Sequence, residues 1–363
     1  MSDRRPFLNL KNLTNLTVKP EISAVDLFCG AGGLTYGLEN AGIDVRLGID
    51  LDPACEFPYS RNNRAKFCLK PIENVEGETL QEVLCGADIK LIAGCAPCQT
   101  FSTYNQKATS EDSRWWLLLQ FARLVEETRP DLVTMENVPG LRQRKVFESF
   151  VGTLEKLGYH IFHDLVECGE YGIPQRRTRL VLLASKRGPI SLLPPESFAR
   201  NRTTVRQTIG ELPQIGPGEA HPRDPFHKAS RLSPLNMKRM QASIPGGSWK
   251  DWDETLVANC HRKTTGRSYP SVYGRMEWDD LSPTITTEFF GFGSGRFGHP
   301  EQDRALSLRE GALLQSFPRT YEFTPPEQTV SMKVAGRLVG NAVPPILGEA
   351  IGRSLLEHVS KNR

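Results

Sequence analysis

Ala24-Val25-Asp26-Leu27-Phe28-Cys29-Gly30-Ala31-Gly32-Gly33 is an apolar run that ends in a cluster of glycines. The run reads as a strand, and Leu34 to Asn40 after the glycines reads as a short helix. Strand, glycine turn, helix is the opening unit of a nucleotide-binding α/β fold. A second strand, Val45 to Ile49, ends in Asp50, twenty residues after Gly30, where an acid can accept from ribose hydroxyls. The spacing G-x-G-G is not the full G-x-G-x-x-G, so a dinucleotide is not required, and a purely structural turn stays open.

Working outward, Leu91-Ile92-Ala93 reads as another buried strand, followed by Gly94-Cys95-Ala96-Pro97-Cys98-Gln99-Thr100-Phe101-Ser102. Cys95 and Cys98 form C-x-x-C, which can be a redox pair, half a zinc site or the frame of one reactive thiol. Zinc needs a second pair, and the sequence holds no other C-x-x-C and no H-x-x-x-H. The helix formers expected after a thioredoxin-like pair are absent. Pro97 fixes the backbone just before Cys98, which favours Cys98 as a presented nucleophile in its thiolate form. Thr103 to Ser113 is polar and aperiodic and reads as a lid loop. Trp115, Leu118, Leu119, Ala122 and Val125 then fall at helical spacing.

Asp131 to Met135 is the next strand and ends at Glu136-Asn137-Val138. Neighbouring parallel strands end on one rim, so Glu136 and Cys98 can converge. A helix from Val146 to Leu157 stops before Gly158, a C-cap signal, and Tyr159 to Val166 is a further strand. Gln175-Arg176-Arg177-Thr178-Arg179 then leads into the strand Leu180 to Ala184. Alternating residues on a strand share a face, so Arg177 and Arg179 are expected to point together.

The net charge of +3 hides an asymmetry. Arg187 to Arg275 holds 14 Lys+Arg against 7 Asp+Glu, a net of +7, which leaves 3 − 7 = −4 for the rest. A basic segment beside a mildly acidic body suits a polyanion. No run of about 18 apolar residues is present, so no membrane span is expected. The polar N-terminus lacks a signal core, and eight irregularly spaced cysteines suit a reducing compartment, so the expected location is the cytoplasm.

Taken together, Asp26-Leu27-Phe28-Cys29-Gly30-Ala31-Gly32-Gly33, Pro97-Cys98-Gln99 with Phe101-Ser102, Glu136-Asn137-Val138-Pro139-Gly140 and Gln175-x-Arg177-x-Arg179 resemble, in order, motifs of the DNA cytosine-5 methyltransferase family of bacterial restriction–modification type. Two later stretches extend the resemblance. One runs from Arg304 to Pro318, with Ser307 and Glu310 as a capping box. The other is Val339-Gly340-Asn341-Ala342-Val343-Pro344-Pro345 before an apolar C-terminal helix, whose first turn prolines fit.

The resemblance implies an α/β fold: a doubly wound, mostly parallel, Rossmann-like sheet that binds S-adenosylmethionine, with a second, smaller target-recognition domain. The implied division is 1–187 for catalysis and cofactor, 188–318 for target recognition and hinge, and 319–363 for a segment returning to the catalytic domain. It implies Phe28, Gly30, Gly32, Asp50, Leu51, Pro97 and Asn341 at the cofactor. Cys98, Glu136, Arg177 and Arg179 would do the chemistry, and Gln99 and Ser102 would meet the substrate. The family's adenine-binding acid after the third strand has no assigned counterpart in Pro71-Ile72-Glu73-Asn74. The implied substrate is a flipped-out cytosine in double-stranded DNA, methylated at C5 through a Cys98–C6 adduct. A tRNA cytosine methyltransferase of the same fold is the alternative, and the sizeable basic segment speaks against it. The implied partners are DNA and a cognate restriction endonuclease, and the expected state is a monomer. Candidate phosphate contacts are Arg200, Arg202, Lys238, Arg239, Arg262, Lys263 and Arg267.

Overall fold

A computed structural model describes residues 21–97, 116–263 and 270–362. The chain begins with β1 (Ile22–Leu27), α1 (Gly33–Ala41), β2 (Asp44–Asp50), α2 (Glu56–Asn62), β3 (Lys66–Leu69), α3 (Gly77–Val83) and β4 (Ile89–Gly94). It continues with α4 (Trp116–Thr128), β5 (Leu132–Asn137), α5 (Lys145–Lys156), β6 (His160–Glu167) and β7 (Thr178–Ser185). These strands form one sheet in the order β3-β2-β1-β4-β5-β7-β6. The first five strands run parallel, and β7 lies antiparallel to both β5 and β6.

β1 is buried at every position, as a central strand covered on both faces must be. Side chains alternate between two cores, following the period of two of a strand. Ala24, Leu91 and Leu132 face α1 and the C-terminal helix, whereas Val25, Ile92 and Val133 face α4 and α5 with Phe121 and Phe150. α4 corrects one expectation: its buried face is Leu117, Leu118, Phe121, Ala122, Leu124, Val125 and Thr128, and Leu119 points to solvent. Trp115 lies outside the described residues. Gly158 caps α5 as expected, in the left-handed region with its N–H on the Glu155 carbonyl.

The middle of the chain carries short elements: α6 (Val205–Ile209), β8 (Ala220–His221), β9 (Asp224–Lys228), α7 (Pro234–Ala242), α8 (Asn259–Arg262) and α9 (Leu308–Leu314). α9 opens with the Ser307–Glu310 capping box. α10 (Met332–Asn341) was not foreseen, and α11 (Pro345–Lys361) closes the chain. α11 returns to the sheet and lies along α1. A Cβ on Gly37 would stand 2.3 Å from the Pro345 carbonyl oxygen, so the two helices meet at backbone distance. That contact brings the stretch before α11 to the turn after β1.

Candidate active site

The strand order reverses direction between β1 and β4, which opens a crevice beyond their carboxyl ends. Three loops bound it. The turn after β1 is tightly wound, with Phe28, Gly30 and Gly32 all at positive φ (58°, 55° and 91°). A non-glycine residue pays for that conformation, and Phe28 is such a residue. The turn is pinned by Asp50, whose Oδ2 accepts from Gly30 N at 2.9 Å and whose Oδ1 accepts from Asp52 N at 2.9 Å. Burial raises the Asp50 pKa, and those two backbone bonds act against it.

Among the described residues space lies beside this turn, because a Cβ on Gly30 would meet none of them within 4 Å. Leu51 is 51% exposed and Leu69, which ends β3 opposite Asp50, is 50% exposed. Two large apolar side chains flank the acid without cover, as a planar ring would require. A carboxylate with spare lone pairs between apolar walls and an open backbone turn fits a nucleoside-bearing cofactor. After β3 the chain turns at Pro71 into the short 3-10 turn Ile72–Asn74.

Beneath the turn, Asp26 is fully buried and accepts from Thr35 Oγ1 at 2.7 Å, and burial pushes its pKa up to about 7. Asn341 ends α10 and is exposed, and the Val343 carbonyl lies against Gly33 at the start of α1. The last motif therefore lies against the first.

Glu136 stands near the end of β5, next to β4, and is 3% exposed. Arg179 Nε lies 3.0 Å from Glu136 Oε1, and the Cys95 thiol donates to Oε2 at 3.0 Å. The Arg179 N–H is not aligned on Oε1, which has no hydrogen bond among the described residues. Asn137 Nδ2 donates to the Ala96 carbonyl at 2.8 Å, so the loop carrying Pro97 is tied to β5. Cys98, Gln99, Ser102 and the Thr103–Ser113 loop lie outside the described residues.

Arg177 departs from the expectation that it points together with Arg179. β7 begins at Thr178, and the Arg177 guanidinium points into the protein. It donates to the carbonyls of Ile285 at 3.0 Å, Ala342 at 3.3 Å and Gly340 at 3.5 Å. Burial lowers its pKa to about 10, and the neighbouring Arg179 acts in the same direction. Arg177 holds the returning segment in place, and Arg179 is the arginine in contact with the acid. Gln175 works beside it, donating to Gln315 Oε1 at 2.6 Å and accepting from Ile285 N at 3.0 Å. Gln315 in turn donates to Ala342 O at 2.6 Å.

The basic candidates also separate. Arg200 pairs with Glu349 on α11 at 2.7 Å, and Arg239 lies over the Trp252 and Tyr273 rings while donating to Leu256 O. Both hold structure. Arg202 reaches Asp280 at 3.6 Å but stays exposed, as do Lys238, Arg262 and Lys263. Arg267 lies outside the described residues. Sequence reading missed the bond from Cys95 to Glu136. Its available signal was the apolar run Leu91-Ile92-Ala93, which puts Cys95 just past the end of β4.

The family model for C-5 cytosine-specific DNA methylases matches residues 22–357, which includes every loop just described. The chain belongs to the C-5 cytosine-specific DNA methylase family. The type II methylase M.HgiDII of Herpetosiphon aurantiacus is 50% identical over 336 residues, 92% of this chain and 94% of that protein. The type II methyltransferase M1.BsuMI of Bacillus subtilis is 32% identical over 361 residues, 93% of this chain and 81% of that protein. This methylase is accordingly a DNA (cytosine-5)-methyltransferase of the restriction–modification kind.

A crystal structure of a putative DNA modification methyltransferase encoded within an Escherichia coli prophage superposes with a TM-score of 0.70 at 22% identity, covering 93% of the methylase and 99% of that chain. The S. pombe Dnmt2 methyltransferase superposes with a TM-score of 0.60 at 19% identity, covering 93% and 98%. At these identities the likenesses show a shared fold. Among the described residues of the methylase no helix is long and apolar enough to cross a membrane.

Proposed function

We propose that this methylase transfers a methyl group from S-adenosylmethionine to C5 of a cytosine flipped out of a specific duplex DNA sequence, through a covalent bond between Cys98 and C6. The observation that carries the reading is the adjacency of β4 and β5. It puts a buried carboxyl, Glu136, beside the loop that leads to Cys98, with Asn137 fastening that loop.

C5 of cytosine is a poor nucleophile, and adding a thiolate to C6 makes the ring enamine-like. Cys98 supplies the thiolate. As the C6–S bond forms, electron density moves toward N3, where a proton carried by the Glu136 carboxyl would neutralise it. Arg179 steadies that carboxyl. The Phe28–Gly32 turn, Asp50 and Leu51, with Pro97 and Asn341 at the edge, would hold S-adenosylmethionine, which would supply an electrophilic sulfonium methyl. The C5–methyl bond would form as the methyl–sulfonium bond breaks to leave the thioether, solvent would take the C5 proton, and the returning electron pair would expel Cys98 as a thiolate. A base inside a duplex is out of reach of these groups, so the cytosine must leave the stack. Gln99 and Ser102 would contact it.

Residues 188–318 would carry target recognition and the hinge, supported by their basic charge and short irregular elements, with 319–363 returning to the catalytic domain. The basic charge and the type II relatives favour duplex DNA over tRNA, acting as a monomer alongside an endonuclease of the same specificity. The test is sequencing of 5-methylcytosine in DNA from cells expressing the protein. One recurrent duplex site is expected with the wild type and none with Cys98→Ser. Methylation confined to RNA would contradict the reading.

A further inference from the structure

We infer that Cys95 is a positioning residue for methyl transfer: its thiol ties down Glu136 Oε2 and so fixes the orientation in which the carboxyl meets the target base. The inference rests on the function proposed above, in which Glu136 faces the cytosine.

Cys95 is held on both sides. Its own N–H donates to Leu27 O at 3.3 Å, which extends the β1–β4 ladder one residue past Gly94. The next carbonyl, Ala96 O, accepts from Asn137 at 2.8 Å. Between these anchors Sγ donates to Glu136 Oε2 at 3.0 Å. The carboxyl is 3% exposed, so water is a poor substitute for that donor. The two oxygens are thus unequal. Oε2 has a hydrogen-bond donor, and Oε1 has the charge of Arg179 at 3.0 Å with no aligned hydrogen bond among the described residues. Arg177 and the Cys168 thiol also face this region. Arg177 is turned to backbone carbonyls and does not replace Cys95.

A carboxyl free to rotate would present either oxygen, and many of its orientations would miss a base edge. Fixing Oε2 selects one orientation before the base arrives, which lowers the cost of reaching the reactive geometry. The thiol acts as a hydrogen-bond donor and forms no bond to substrate. The first cysteine of C-x-x-C thereby has a role that is neither redox nor nucleophilic.

The test is single-turnover methylation of a duplex carrying the site found by sequencing, with DNA affinity, cofactor affinity and Tm measured alongside. Cys95→Ala and Cys95→Val both remove the donor, one with less volume and one with more. Each is expected to slow the single-turnover step about two- to tenfold, the range for one lost hydrogen bond, with both affinities unchanged. Cys95→Ser keeps a donor and is expected to recover most of the rate. Wild-type rates in Cys95→Ala and Cys95→Val would overturn the inference, as would losses in all three variants that simply follow Tm. Glu136→Gln separates the two levels. If it is inactive while the donor-less variants are normal, the role of Cys95 fails alone. If Glu136→Gln keeps the wild-type rate, the proposed function beneath it fails as well.

Discussion

Replacing Asp50 tests the cofactor site most sharply, because the side chain has two jobs that can be separated. An ionised carboxylate offers about four lone-pair directions. Two are taken by Gly30 N and Asp52 N, both at 2.9 Å, leaving two for ribose hydroxyls. Asp50→Ala removes all of them. The two orphaned backbone donors, where water does not reach them, cost about 1–3 kcal/mol each, which should appear as a lower Tm without ligand. Losing charge-assisted bonds to the ribose costs about 1.5–3 kcal/mol more, roughly ten- to a hundredfold in affinity. Asp50→Asn keeps one acceptor oxygen but turns an amide N–H toward one of the backbone donors, so both effects should be intermediate. Calorimetric titration with S-adenosylmethionine and thermal unfolding read the two separately. Unchanged cofactor affinity in Asp50→Ala, whatever its Tm, would refute the assignment.

Grafting residues 188–280 from a relative of different specificity should move the methylated site, read by sequencing 5-methylcytosine, and an active chimera with the original site would refute that role. Glu310 accepts two 2.7 Å bonds from the wholly buried Arg304, so Glu310→Gln should leave a buried cation poorly matched and cost about 3–5 kcal/mol of stability, read by denaturant unfolding. A cost below ~1 kcal/mol would contradict it. The same pair gives a pH dependence. Burial depresses His299 from 6.5 to about 4, and Arg304 holds Glu310 down from 4.5 to about 2. Both groups bind more protons unfolded, so stability should fall as pH drops from about 6.5 toward 4 through His299, then from about 4.5 toward 2 through Glu310. His299→Gln should flatten the upper part of that decline in Tm, and an identical profile would reject the assignment.

The parts of the fold legible in sequence were those written locally. The turn after β1, Glu136 at a strand end, the Ser307 capping box and the closing helix each show as a short run with its own turn chemistry. Partners set by distant residues were not legible. The insertion of β7 between β5 and β6 is a pairing across the chain, and no local signal gives its direction. Arg177 and Arg179 look equivalent by alternation. Their split arises because Arg177 precedes the strand and meets carbonyls 108 to 165 residues away. α10 hid behind the motif that ends it, and Leu119 sits on the apolar register of α4 while facing solvent. In the basic segment charge was visible, but Arg200 and Arg239 are spent on contacts within the fold.

The central claim is that Cys98 attacks C6 and is released by loss of the C5 proton. A duplex with 5-fluorocytosine at the target base has no such proton, and fluorine does not leave as a cation. With S-adenosylmethionine present, the enzyme should remain covalently attached to this DNA after methyl transfer, and peptide mapping should place the bond on Cys98. Cys95→Ser should still form the adduct, and Cys98→Ser should not, while keeping its DNA affinity. An adduct on Cys95, or none with enzyme that methylates ordinary DNA, would contradict the account.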